Sequence, residues 1–189
     1  MSNDIILCDY DSVLNDMLIT WINWLNNKHG TRVNVNEVCN WDMTKVFPTL
    51  SKEEIFEPLY NEYFWLNVPV SNNYIDVIKE MKKDNIVYIV TDSDYRTIKA
   101  KMEDSILNHF GNVIKASDII FTSHKDIIKC DYIIDDYEEN IKNSDSIRIL
   151  IDKPYNHNCQ LNYYDIRVKN ISEAWDFIKL HKEITSNKF

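Results

Sequence analysis

The stretch Asn3-Asp4-Ile5-Ile6-Leu7-Cys8-Asp9-Tyr10-Asp11-Ser12-Val13-Leu14 decides the fold. Ile5 to Cys8 form an apolar run long enough for one buried strand, and the run ends abruptly in Asp9-Tyr10-Asp11. Carboxylates at the end of a strand buried on both faces lie in a crevice outside the sheet's carboxyl edge. Two acids one residue apart can hold a divalent cation there, and one of them can act as an aspartate nucleophile. The bland alternative is a solvated turn carrying two acids, and D-x-D alone leaves the two readings about even. The rest of the chain has to decide.

Downstream, the rhythm changes twice. Asp16 to His29 is an amphipathic helix, with Met17, Leu18, Trp21, Trp24 and Leu25 at spacings of three and four and Gly30 as the stop. From Thr31 to about Asn67 no strand run appears. Ser51-Lys52-Glu53-Glu54 is a capping box that opens a helix from Lys52 to about Phe64, with Pro58 marking a kink. From Asn72 onward helices and strands alternate. Apolar strand runs at Ile86–Val90, Ile119–Thr122, Tyr132–Ile134 and Ile147–Ile151 alternate with helices at Tyr95–Phe110, stopped by Gly111, and Lys125–Cys130. A last helix, Ser172 to about Lys182, takes Ser172 as its N-cap. Continuous apolar strands alternating with helices predict an α/β fold, a Rossmann-like doubly wound parallel sheet covered on both faces. Residues 1–16 with 68–189 read as this core, and residues 17–67 as a small helical cap inserted after the first strand.

Composition narrows the function. The 189 residues suffice for one domain, or a core with a sizeable insertion. With 44% apolar and 27% charged residues, the chain supports an ordinary globular core. A net charge of −9 argues against a nucleic-acid polymer as partner, since phosphate backbones call for a basic surface. A small phosphorylated molecule in a locally positive pocket remains compatible. Cys8, Cys39, Cys130 and Cys159 are widely spaced, so neither a zinc site nor a disulfide framework is expected. With no apolar stretch of membrane length and no signal-type segment, the protein is read as soluble and cytoplasmic. The oligomeric state stays open, a homodimer included.

The polar residues at strand ends are best read together. Asp9 and Asp11 follow the first strand, Thr91 and Asp92 the second, Lys125 the third, and Asp135-Asp136 the fourth. In a parallel sheet all carboxyl ends share one edge, so these residues can converge. Acids holding Mg²⁺, with a hydroxyl and an amine for the phosphoryl oxygens, are what phosphoryl chemistry uses. Any one of them alone is surface decoration most of the time; four, each at its own strand end, are a strong signal.

In these residues the chain resembles the haloacid-dehalogenase superfamily of phosphatases: Asp9-Tyr10-Asp11-Ser12-Val13-Leu14, Thr91, Lys125 and Ile134-Asp135-Asp136 look like its four motifs. More narrowly it resembles the 5′(3′)-deoxyribonucleotidase family from end to end. That match rests on the small insertion after the first motif, on Trp41-Asp42, on Lys125 ahead of Asp135, and on Leu150-Ile151-Asp152-Lys153-Pro154-Tyr155-Asn156. The resemblance implies a Mg²⁺-dependent phosphomonoesterase acting on deoxyribonucleoside monophosphates through an aspartyl-phosphate. Asp9 would be the nucleophile and Asp11 the general acid and base. Thr91, with Asp92 beside it, and Lys125 would bind phosphate. Mg²⁺ would be held by the Asp9 side chain, the Asp11 main-chain carbonyl and an acid of the Asp135-Asp136 pair. Asp136 is favoured for that ligand and Asp135 for the surrounding shell, although sequence does not separate them. Asp92 stands where the family often has serine, and Met17 where some members place an aromatic ring.

The insertion carries nine aromatic residues between Trp21 and Trp65. Most are expected to form its own core. Trp41 and Phe47, with Tyr60 behind them, are the candidates for stacking on a nucleobase. Of the histidines only His124, next to Lys125, is expected near the site. Three alternatives remain: a phosphatase of the same fold acting on a sugar phosphate, one acting on the 3′-phosphate of a nucleic-acid end, and a non-catalytic phospho-acceptor or binding protein.

Overall fold

A computed structural model of the chain describes residues 3–186. The chain opens with β1 (Asp4–Cys8), then runs through α1 (Met17–His29) and three short helices, α2 (Met43–Val46), α3 (Lys52–Phe56) and α4 (Glu62–Leu66). Helix α5 (Asn72–Asp84) leads into β2 (Asn85–Thr91), after which α6 (Ile98–Ala100) and α7 (Asn108–Phe110) flank a π-helical stretch, Lys101–Leu107. Strands β3 (Ile119–Phe121), β4 (Tyr132–Asp135), β5 (Ile147–Ile151) and β6 (Ile166–Val168) follow, joined by 3-10 turns. Helix α8 (Ile171–Ser186) comes last.

All six strands are parallel, in the order β3-β2-β1-β4-β5-β6. The chain builds outward from β1 on one side through β2 and β3, then returns to add β4, β5 and β6 on the other. The sheet order therefore reverses between β1 and β4, which is where open α/β sheets bind ligands.

Side chains alternate across the sheet with a period of two. Ile6, Cys8, Ile89, Ile134 and Ile149 point to one face, where Ile78, Met81, Ile106, Phe110, Ala174 and Ile178 cover them. Leu7, Val90, Ile133 and Leu150 point to the other, against Ile141 and partly buried Ile128, Cys159 and Tyr164. The second face is thus sealed by 3-10 turns and loops where helices were expected; the helix expected over Lys125–Cys130 is a single 3-10 turn, Lys125–Ile127.

A separate apolar cluster gathers Met17, Trp21, Leu25, Met43, Phe47, Ile55, Phe64 and Trp65, joined by Ala100 and Tyr155 from beyond β1's neighbourhood in sequence. Its aromatic rings meet edge-on or tilted, Trp24 on Phe64 at 6.1 Å and Trp21 on Phe56 at 5.4 Å. The Trp21 indole N–H donates to the Ile55 carbonyl at 2.7 Å, so its polar atom is satisfied in the interior.

Three local expectations change. The helix expected from Lys52 to Phe64 breaks at Pro58 into α3, a 3-10 turn (Glu57–Tyr60) and α4, which Asn61 recaps by accepting from the Tyr63 N–H at 2.9 Å. Proline lacks the N–H that would continue the ladder. The last helix is capped by Asn170, whose side-chain Oδ1 accepts from the Ser172 and Glu173 N–H groups at 3.0 and 3.1 Å, so Ser172 lies inside it. Strand β6 is three residues long with Arg167 at its centre, too short for an apolar run to reveal.

The chain has two glycines, each at the end of a helix. Gly30 has φ +69° with open space around it, so alanine there meets only the left-handed backbone penalty, about 1–2 kcal/mol. At Gly111 a Cβ would collide with the Leu107 carbonyl oxygen, a backbone atom that cannot rotate away. Gly111→Ala is expected to lower the denaturation midpoint more than Gly30→Ala, with unchanged m-values in urea melts. The reverse order would contradict the helix ending described for α7.

Candidate active site

The site forms where β1 and β4 end. The Asp9 N–H donates to the Ile134 carbonyl at 2.9 Å, which carries the β1–β4 ladder one residue past Cys8 and sets the Asp9 side chain at the sheet's edge. Its Oδ1 accepts from the Tyr10 N–H at 2.7 Å and from Lys125 Nζ at 2.6 Å. Lys125, buried on the 3-10 turn after β3, also donates to Asp135 Oδ2 at 2.7 Å. Asp9, Asp135 and Asp136 bring carboxylate oxygens within 4.8 Å of one another.

The two acids that end β4 are held differently. Asp135, fully buried, accepts from Lys125, from the Tyr137 N–H at 2.9 Å and from Asn140 Nδ2 at 3.0 Å. Both its oxygens are occupied. Asp136 is equally buried, and its Oδ2 accepts from the Tyr155 hydroxyl, while its Oδ1 has no hydrogen-bond partner among the described residues.

Burial raises the Asp9 carboxyl well above the usual range; Lys125 opposes this, and Asp135, Asp136 and Asp11 add to it. Burial and the neighbouring Asp135 push Asp136 up to about 7. Burial alone would lower the Lys125 ammonium, but Asp135 and Asp9 beside it hold it above its ordinary value. The Tyr155 phenol is raised by burial and by Asp136, so it stays a donor.

Asp11 is half-buried and faces β2. Its Oδ2 accepts from Lys101 Nζ at 2.5 Å and from the Thr91 hydroxyl at 3.4 Å, and its Oδ1 from Asn15 Nδ2 at 3.3 Å. The turn between the two acids and α1 is tight. Ser12 has φ +60°, and its N–H donates to Asn15 Oδ1 at 2.9 Å. Lys101 is buried on the π-helical stretch, where it also donates to the Asp92 carbonyl at 2.5 Å and sits 4.5 Å over the Trp65 ring. The extra residue per turn that a π-helix accommodates is common at functional sites.

These groups open onto a cavity of about 940 Å³, lined on the acidic side by Asp9, Asp11 and Lys125 and on the other by Met17, Trp21, Trp41, Phe56, Tyr60 and Trp65. A cavity of this size and mixed lining suits a small organic ligand. Of the three aromatic candidates, Trp41 and Tyr60 line it, 43% and 44% exposed. Trp41 lies nearly parallel on Tyr137, 4.4 Å between centroids, with Tyr155 at its edge. Phe47 is a correction: at the C-terminal end of α2 it is 1% exposed within the apolar cluster that includes Met17 and Trp21, and it does not line the cavity. Asp92 is exposed at the cavity rim, its Oδ1 accepting from the Ser93 N–H at 2.8 Å. His124 is exposed and its N–H donates to Thr122 Oγ1; it does not line the cavity. Sequence reasoning missed Lys101, Asn15, Asn140 and Tyr155, although Tyr155 stands in the quoted segment after β5.

A parallel sheet of this order with acids at the switch between β1 and β4 is the fold expected of a haloacid-dehalogenase-like protein. Solved structures agree in fold. A haloacid dehalogenase-like family protein from Streptococcus pneumoniae superimposes with TM-score 0.63 at 18% identity, covering 93% of this chain and 98% of that one. A haloacid-dehalogenase hydrolase from Bacillus subtilis, solved bound to magnesium, gives TM-score 0.58 at 13% identity over 94% of this chain and 99% of that one. Residues 3–184 match the family described as 5′ nucleotidase, deoxy (pyrimidine), cytosolic type C protein, and the chain belongs to it. A 5′(3′)-deoxyribonucleotidase of Bacillus subtilis is 30% identical over 156 residues, 82% of this chain and 88% of that protein. The protein is an enzyme, a phosphatase of the nucleotidase type.

The raised acids fix the sign of a pH effect. An acid whose folded pKa exceeds its unfolded value binds more protons in the folded state, so stability falls as pH rises between the two values. For Asp136 that window runs from 3.8 to about 7. In chelator, the thermal midpoint is expected to fall as pH is raised through this window, and Asp136→Asn should flatten the slope. A wild-type midpoint that climbs steadily across the window would contradict the buried, unneutralised cluster.

Proposed function

We propose that this enzyme hydrolyses the phosphate monoester of deoxyribonucleoside monophosphates, at a 5′ or a 3′ position, with Mg²⁺ and through an aspartyl-phosphate on Asp9. The carrying observation is that Asp9, Asp11 and Lys125, with Thr91 bonded to Asp11 and Asp136 grouped with Asp9 behind them, meet in a cavity that is also lined by aromatic rings. The likeness to a 5′(3′)-deoxyribonucleotidase of Bacillus subtilis supports the substrate class.

The residues fit a magnesium ion. The donors are all oxygens, as a hard divalent cation requires. The buried Asp136 Oδ1 lacks a hydrogen-bond partner among the described residues, and Asp9, Asp135 and Asp136 each offer a carboxylate oxygen within 4.8 Å of the others. Asp9, Asp136 and the Asp11 main-chain carbonyl would hold the ion; Asp135, with both oxygens engaged by Lys125, Tyr137 and Asn140, would stay outside its shell. When bound, Mg²⁺ offsets the repulsion between a carboxylate nucleophile and an anionic phosphate.

The protein's own groups carry the reaction. An Asp9 carboxylate oxygen attacks phosphorus as the bond to the leaving oxygen breaks, and Asp11 gives that oxygen its proton. In the second half Asp11 takes a proton from water, whose oxygen attacks phosphorus and frees Asp9. Lys125 and Thr91 hold the phosphoryl oxygens and stabilise their charge. Lys101 and Asn15 fix the Asp11 carboxylate between them. Residues 17–67 act as a cap over this edge, excluding water and offering Trp41 and Tyr60 to the base.

Phosphate release from deoxyribonucleotides, ribonucleotides, ribose 5-phosphate and glycerol phosphate, with EDTA or Mg²⁺, tests this reading. Deoxyribonucleotides should be preferred, EDTA should abolish turnover, and Mg²⁺ should restore it better than Ca²⁺, whose larger shell misplaces the reacting groups. Asp9→Asn should be inactive and Asp11→Asn slower by about 10²–10⁴. Sugar phosphates turned over as well as nucleotides would remove the nucleotidase reading and leave the phosphatase. Stacking is worth about 1–3 kcal/mol per base, so Trp41→Ala should lose roughly tenfold to a hundredfold in kcat/KM for nucleotides while sparing p-nitrophenyl phosphate. Equal losses on both substrates would make Trp41 a packing residue.

A further inference from the structure

Tyr155 stands outside every motif that carries the chemistry, yet its hydroxyl is bonded to Asp136 Oδ2 in the interior. The turn that carries it is rigid. Pro154 opens a 3-10 turn, Pro154–Asn156, directly after β5. Asn156 Nδ2 donates to the Ile151 carbonyl and to the Asp136 carbonyl, both at 2.8 Å, and Asn156 Oδ1 accepts from the Lys153 N–H at 3.1 Å and from Arg167 at 2.5 Å. One turn therefore grips Asp136 twice, by its main chain through Asn156 and by its side chain through Tyr155.

That grip leaves Asp136 Oδ1 as the single unpartnered oxygen of the Asp135-Asp136 pair. A carboxylate can rotate about its last bond, and in a buried site an unheld one turns toward whatever donor it finds. With Oδ2 bonded to a phenol that can only donate to it, Oδ1 is the oxygen left for a cation, in a residue whose carboxylate lies within 4.8 Å of those of Asp9 and Asp135.

We propose that Tyr155 is a positioning residue for the cation: its hydroxyl holds Asp136 so that the free oxygen faces the metal position. This rests on the reading of the site as Mg²⁺-dependent. Groups that orient metal ligands from behind typically account for about 10- to 100-fold in metal affinity. The ring has a separate contact, edge-on to Trp41 at 5.1 Å, so hydroxyl and ring can be tested apart.

Mg²⁺ is titrated calorimetrically into chelator-stripped wild type, Tyr155→Phe and Trp41→Leu, and nucleotide turnover is followed as a function of Mg²⁺. Tyr155→Phe keeps the ring and should fold, yet bind Mg²⁺ about 10- to 100-fold more weakly, with kcat recovering when Mg²⁺ is raised by the same factor. Trp41→Leu should raise the nucleotide KM and leave Mg²⁺ binding close to wild type. Wild-type Mg²⁺ affinity in Tyr155→Phe overturns the proposal, showing the phenol to be only a partner for a buried acid. Equal weakening in Trp41→Leu overturns it too, since the aromatic packing and not the hydroxyl would then set Asp136. A Tyr155→Phe enzyme whose kcat stays low at saturating Mg²⁺ does the same. If wild type itself takes up no Mg²⁺, the metal reading falls first, and this inference with it.

Discussion

Mutual repulsion among three buried carboxylates is the constraint the site has to satisfy. Asp9, Asp135 and Asp136 have oxygens within 4.8 Å of one another, and among the described residues Lys125 is the one ammonium bonded to the group, through Asp9 and Asp135. Two ionised carboxylates at that separation repel by about 3–4 kcal/mol at an effective dielectric of about 20. The cluster therefore weakens the fold that holds it, and the apolar sheet has to supply the support. It does so locally: Ile6, Leu7 and Cys8 precede Asp9, and Ile133 and Ile134 precede Asp135, all essentially inaccessible to water. The charges sit where the chain is best anchored.

Parallel pairing turns that anchoring into convergence. Cys8 is level with Ile89 on one side and Ile134 on the other, so Asp9 and Asp135 leave the sheet at the same height and Thr91 one step beyond. No loop has to search for this arrangement. Only the amine has to be brought in, and the short turn after β3 carries Lys125 into the gap, where two carboxylates outweigh the cost of burying it.

Strands β1, β2 and β4 and their terminal acids were legible because each is a continuous apolar run interrupted by charge, a signal contained in five or six residues. Lys101 was not legible in this way. It lies on what reads as an ordinary helix, and only the π-helical stretch turns its ammonium inward to Asp11. Asp135 and Asp136 are chemically alike in sequence; what distinguishes them is the partners that arrive from Asn140 and Tyr155. The aromatic segment shows the same limit. Trp41 and Phe47 are six residues apart in a region without periodicity, so nothing local says that one faces the cavity and the other the apolar cluster.

The position of Trp41 carries one further consequence for binding. Its ring is stacked on Tyr137 at 12° between planes and bounded by Tyr155, yet 43% of the residue is still exposed to the cavity side. A flexible side chain must be ordered when a ligand lands on it, at about 0.5–1.5 kcal/mol for a rotamer-rich group. Trp41 has already been ordered by two tyrosines that belong to the acid-bearing loops: Tyr137 follows Asp136 directly, and Tyr155 bonds it. On the proposed reading, in which a base stacks on Trp41, that surface is fixed in register with the carboxylates that would face the phosphate. A nucleotide that reaches one end correctly is aligned at the other, and this favours a substrate long enough to touch both over a bare sugar phosphate.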